Sequence, residues 1–97
     1  MKLDILRGSV LRLLFDFYPD GIEKKSLWGV YYQYWKTEDI DKATEFLVDL
    51  DLITRTENAH PYLPGEKITY YKIKPAGITL VEGTTEACPG IVLPGRL

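Results

Sequence analysis

At 97 residues, the chain is long enough for one domain that buries roughly two-thirds of its unfolded surface around a single core. Twelve basic and fourteen acidic residues leave a net charge of -2, so no global positive field draws the protein toward DNA or anionic lipid. Hydrophobic content of 45% with 27% charged residues is ordinary for a soluble globular protein, and a single cysteine, Cys88, excludes an internal disulfide and any cysteine-pair metal site.

Lys2 leads into Leu3 and Asp4 rather than an apolar signal-peptide core. The greasiest run, Val10 to Tyr18, is interrupted by Arg12 and Asp16. Neither pattern exports the chain or spans a membrane, so the cytoplasm is the expected compartment. From Asp4 to Tyr18, residues Ile5, Leu6, Val10, Leu13, Leu14 and Phe17 fall at helical spacing. Pro19-Asp20-Gly21 then stops the helix, since proline cannot continue it and Asp-Gly is strong turn chemistry.

Ser26 is the expected N-cap of a second helix running to Trp35. Five of the nine residues from Leu27 to Trp35 are aromatic, more than one face needs. The stripe Leu27, Val30, Tyr31 and Tyr34 suffices for the core. Trp28, Tyr32 and Trp35 form a second stripe that a monomer leaves partly exposed. Thr37 is the expected N-cap of a third helix, Thr37 to Leu50, with Glu38 and Asp39 favourably placed in its first turn. Its apolar face is Ile40, Ala43, Phe46, Leu47 and Leu50, and Asp51 takes the left-handed position that usually belongs to glycine.

A strand from Leu52 to Thr56, a turn at His60-Pro61-Tyr62-Leu63-Pro64-Gly65 and a strand from Ile68 to Ile73 follow. Pro75-Ala76-Gly77 opens a short segment, Ile78 to Glu82, whose Ile78 and Val81 close over the core. Beyond Gly83, repeated Pro-Gly breaks and the lack of a helical period predict an extended tail, ordered only when something binds it. The expected organisation is thus a folded domain over residues 1–83 and a tail over 84–97.

This order resembles a winged-helix domain: an α+β fold with a three-helix helix-turn-helix core, a two-stranded wing, a short C-terminal helix and an extended tail. Ser26 to Ile53 looks like the helix-turn-helix half. Tyr70-Tyr71-Lys72-Ile73-Lys74-Pro75-Ala76-Gly77 is similar to the last wing strand and the glycine start of the next helix. A narrower resemblance is to small winged-helix proteins of Mu-like phages and prophages. Their C-terminal signature, Gly-hydrophobic-x-hydrophobic-x-x-Gly followed by Pro-Gly-hydrophobic, is matched by Gly77 to Gly83 and by Pro89-Gly90-Ile91. The gap before Pro89 is slightly longer than in those proteins, and Asp51 stands where they have glycine. Membership implies a phage-encoded, non-enzymatic protein.

Charge opposes the usual winged-helix mode of binding. The N-terminal half of a recognition helix points at base edges, yet Thr37 to Leu52 holds six acids and one base, Lys42. Phosphate affinity comes largely from lysine and arginine, so that face reads as a solvated acidic surface. Ile53 to Pro75 reads the other way, with four bases and two acids. A docking mode led by the wing and the second helix gives Lys24, Lys25, Lys36, Lys42, Lys67, Lys72 and Tyr62 as the expected contacts to double-stranded DNA. The alternative is that the wing lysines guard strand edges against aggregation, while Trp28, Tyr32 and Trp35 hold a homodimer or another protein.

The chemical inventory points away from catalysis. His60 is the only histidine, and Glu57-x-x-His60 offers two metal ligands without a third. Cys88 has no base beside it in sequence, the two serines lack a glycine elbow, and there is no phosphate loop. No cofactor, metal, catalytic residue or small-molecule substrate is expected. A DNA-binding phage regulator and a protein-interaction module remain the two readings.

Overall fold

A computed structural model describes residues 3–95 as an α+β fold of four helices and a three-stranded antiparallel sheet. Helix α1 (Leu3–Phe17) buries Leu6, Val10, Leu11 and Leu14, spaced to form one stripe. After strand β1 (Ile22–Glu23) come helices α2 (Lys24–Tyr31) and α3 (Thr37–Asp49), the hairpin strands β2 (Ile53–Ala59) and β3 (Lys67–Ile73), and helix α4 (Pro75–Glu82). The sheet order is β1-β3-β2. Ile22 pairs with Tyr71 across β1 and β3, and Ile53 with Ile73 across β2 and β3. These four side chains line the inner face of the sheet, closed by the buried residues of α1, α2, α3 and α4.

The end of α3 follows from its sequence. Asp51 has φ of 64°, the left-handed conformation expected there. The Leu52 amide donates to Leu47 (3.1 Å) and the Asp51 amide to Val48 (2.9 Å), so two of the last carbonyls are satisfied while the chain turns into β2. Helix α4 stops in the same way, with Gly83 at φ 82° and the Thr84 amide donating to Thr79. Asp51 carries a Cβ into this conformation, costing about 1 kcal/mol, and recovers part of it through an exposed ion pair to Lys74 Nζ at 2.9 Å. Asp51→Gly is therefore expected to leave the melting temperature unchanged or raise it. Asp51→Ala keeps the strain without the ion pair and is expected to lower it. A fall for the glycine variant in thermal unfolding contradicts this account.

Several expectations are corrected. Helix α2 starts at Lys24 and ends at Tyr31, with Glu23 rather than Ser26 at its N-cap and no side-chain cap bond. Lys36, not Thr37, is the N-cap of α3, again with no side-chain cap bond. The Tyr34 and Trp35 amides both donate to Tyr31 O at 3.0 Å, so α2 gives way to a tight turn. That turn changes which aromatic rings are buried. Trp28, Tyr31 and Trp35 pack against the core, whereas Val30 (55%), Tyr32 (63%) and Tyr34 (71%) are exposed. The expected outer stripe of Trp28, Tyr32 and Trp35 keeps only Tyr32.

The segment after Gly83 has no helix or strand through Gly95, as its composition suggests, but it is seated on the domain. Ile91 and Leu93 are buried against the core, and the Val92 amide between them donates to Asp4 O at 3.0 Å. Arg7, stacked 3.7 Å from the Phe46 ring centroid, donates from Nη1 to Gly90 O. The expected tail also included Arg96 and Leu97, which lie outside the described residues.

Tyr31 has one further consequence. Its hydroxyl shares a 2.9 Å hydrogen bond with Ser9 Oγ, and burial raises its pKa above the ordinary 10.0, partly offset by that bond. The folded state holds this proton more tightly than the unfolded state does, so stability is full below pH 10.0 and falls as pH rises through the folded pKa. Tyr31→Phe is expected to flatten that alkaline loss in melting temperature measured against pH. An identical alkaline slope in the variant contradicts it.

Candidate nucleic-acid interface

The start of α2 and the turn end of the hairpin meet in a cleft of about 190 Å³ lined by Glu23, Lys24, Lys25, Trp28, Lys67 and Thr69. Three of the expected lysines thus converge from positions more than forty residues apart in sequence. Short turns fix this geometry. Glu23 pairs with Tyr70 in the sheet while Lys24 already begins α2, so the first helical turn must lie beside β3. Lys67, opposite Ala59, is the first residue of β3 and enters the cleft from the hairpin side.

The three lysines are not equivalent. Lys24 Nζ lies 3.7 Å from Asp41 Oδ2 and 5.3 Å from the Trp28 ring, so α3 holds part of its charge. Lys67 Nζ is 3.9 Å from Glu57 Oε2, a long and highly exposed pair worth little. Lys25 is exposed and has no ion-pair partner among the described residues.

The remaining expected contacts lie elsewhere. Lys72 is on the outer face of the sheet, 5.8 Å from the Tyr18 ring. Tyr62 sits at the hairpin turn, 85% exposed. His60 organises that turn, its Nδ1 accepting the Tyr62 and Leu63 amides at 3.0 and 3.1 Å. Lys36 is the N-cap of α3. Lys42 lines a different cleft, of about 340 Å³, with Arg7, Asp41, Glu45, Phe46 and Asp49.

The acids of α3 have a role that the sequence alone does not reveal. Asp41 accepts from Trp28 Nε1 at 2.8 Å as well as facing Lys24, tying α3 to α2. Glu45 accepts from Arg55 Nη1, tying α3 to β2. Asp51 holds Lys74, just after β3. Three of the six acids between Thr37 and Leu52 therefore clamp α3 to its neighbours, and Glu38 and Asp49 remain exposed without an ion pair among the described residues.

Among the described residues, no group of three or more histidine, cysteine or acidic side chains is arranged to hold a metal ion, and no helix is long and apolar enough to cross a membrane. No family model, curated protein or solved structure matches the chain.

Proposed function

We propose that this chain is a non-enzymatic winged-helix protein of the Mu-like phage type. In this reading α1, α2 and α3 form the helix-turn-helix core and the β2–β3 hairpin is the wing. Duplex DNA is gripped through the start of α2 and the wing rather than through the third helix, as befits a DNA-binding regulator. The observation that carries the reading is the convergence of Lys24, Lys25 and Lys67 on one cleft beside an indole ring. Phosphate affinity rests on such cations and the counterions they release. The pairing of Glu45 with Arg55 supports it further, because it lowers the negative field that α3 presents without drawing on a cleft lysine.

Fluorescence anisotropy of a labelled mixed-sequence duplex tests this reading. Saturable binding at low salt that weakens steeply at moderate salt is expected, since at low ionic strength screening is least. A flat trace at low salt overturns it. The second reading, a protein-interaction module, then takes its place on the strength of the exposed Val30, Tyr32 and Tyr34 around the end of α2.

A further inference from the structure

Strand β2 is an edge. The sheet order β1-β3-β2 leaves one side of β2 unpaired, and every residue from Thr54 to Ala59 is exposed. The opposite edge is β1, only two residues long. The hydrogen-bond phase of the hairpin identifies the groups that face outward. The Lys74 amide donates to Leu52 O and the His60 amide to Glu66 O, bracketing the β2–β3 ladder at even-numbered residues of β2. In an antiparallel ladder bonded positions recur every second residue. Thr54, Thr56 and Asn58 therefore bond to β3, and the backbone groups of Arg55 and Glu57 point to the open side.

Such an edge templates pairing with another strand. Two copies of β2 related by a two-fold axis pair antiparallel, and the middle of the strand offers three centres for the axis. Centred on Arg55, the arginine faces its own copy; centred on Glu57, the carboxylate does. Like charges directly opposite one another destabilise a strand pair. Centred on Thr56, Arg55 of each copy faces Glu57 of the other on the same face of the sheet, and the outward backbone groups of both residues meet their counterparts in bonding phase. Only this register is complementary in charge. Both side chains are half-exposed, and their present partners, Glu45 and Lys67, are at the surface, so neither is locked away from a second copy.

We propose that the protein forms a homodimer by antiparallel pairing of β2 with β2 of a second copy, centred on Thr56, to give a continuous six-stranded sheet. The dimer interface is the sheet edge, not the aromatic residues of α2. This pairing of edges does not require that the protein bind DNA.

Two measurements test it. Sedimentation equilibrium at high micromolar concentration is expected to show a monomer–dimer equilibrium. Arg55→Glu or Glu57→Arg alone sets two like-charge pairs in the interface and is expected to weaken dimerisation on the order of tenfold. The double variant Arg55→Glu/Glu57→Arg restores opposite charges in the same register and is expected to recover the dimer. The second measurement is cysteine crosslinking in a Cys88→Ser background. At the two-fold axis the Thr56 positions form a non-hydrogen-bonded pair about 4.5 Å apart between Cα atoms, within disulfide reach. Thr56→Cys is expected to crosslink on mild oxidation, and Thr54→Cys and Asn58→Cys, which face each other's position, are not. A protein that stays monomeric at all concentrations overturns the proposal. So does a double variant no better than the single ones, or equal crosslinking at positions 54, 56 and 58.

Discussion

Gly8→Ala is expected to destabilise the protein, although alanine is the better helix former. In the middle of α1, removing glycine should gain about 1 kcal/mol of helix propensity. A Cβ on Gly8, however, falls 1.7 Å from Val92 O and 2.4 Å from Val92 C, and both are backbone atoms that cannot rotate away. Either α1 shifts, disturbing the burial of Leu6 and Leu11, or the C-terminal segment lifts. Lifting exposes Ile91 and Leu93 and breaks the bonds from Val92 to Asp4 and from Arg7 to Gly90. A net loss of about 2–3 kcal/mol is expected from overpacking and lost burial. In a domain of this size that lowers the melting temperature by on the order of 10–20 °C. Thermal unfolding followed by circular dichroism reads the sign directly. In a chain ending before Cys88 the same substitution is expected to lose its penalty, because the two changes then act on one contact. A rise in melting temperature for Gly8→Ala in the full chain contradicts the packing described for residues 88–95.

The double reversal Lys25→Glu/Lys67→Glu is expected to remove duplex binding at moderate salt. Each phosphate contact contributes about 0.9 to the slope of log affinity against log salt. Losing two contacts and adding two repulsive charges should cost affinity on the order of a hundredfold or more and shallow the slope by about two. Lys24 is a poorer choice for this test, since its reversal also sets a second acid against Asp41. Lys36→Glu and Lys42→Glu serve as comparisons. Both residues lie outside the cleft, so smaller losses are expected. Anisotropy titrations of the four proteins, with melting curves to show that each is folded, check the ranking. Equal losses for Lys42→Glu and the double reversal contradict the assignment to the cleft.

The parts of the fold that were legible in the sequence are those where local chemistry decides. The apolar stripes of α1 and α3 have enough turns to show their period, although Ile5, Phe17 and Leu50 at their margins are exposed; Pro19-Asp20-Gly21 is unambiguous turn chemistry, and Asp51 stands two residues before β2. Strand β1 is two residues long, too short for any alternation to show. From Leu27 to Trp35 aromatic and aliphatic residues fall on every side of a helix, so periodicity cannot select the buried face. The tight turn after Tyr31, which brings Trp35 back to the core, made that choice instead. The C-terminal segment carried a weak signal in Ile91-x-Leu93, and Gly8 on the apolar stripe of α1 was its counterpart. Neither is interpretable without the other. The same holds for the candidate site. Lys24, Lys25 and Lys67 were recognisable as cations, but that Asp41 and Glu45 of α3 and Asp51 just after it serve as clamps depends on partners ten to twenty-three residues away.

In the proposed mode, DNA is met by the start of α2 and the hairpin, with α3 held back. Backbone amide chemical shifts of the labelled protein, recorded as a short duplex is added at low salt, test it most directly. The account predicts concerted shifts at Lys24, Lys25 and Trp28, at Lys67 and Thr69, and at the hairpin turn around Tyr62, while Glu38, Lys42 and Asp49 on the outer face of α3 stay in place. Shifts centred on α3, or none anywhere at saturating duplex, contradict it.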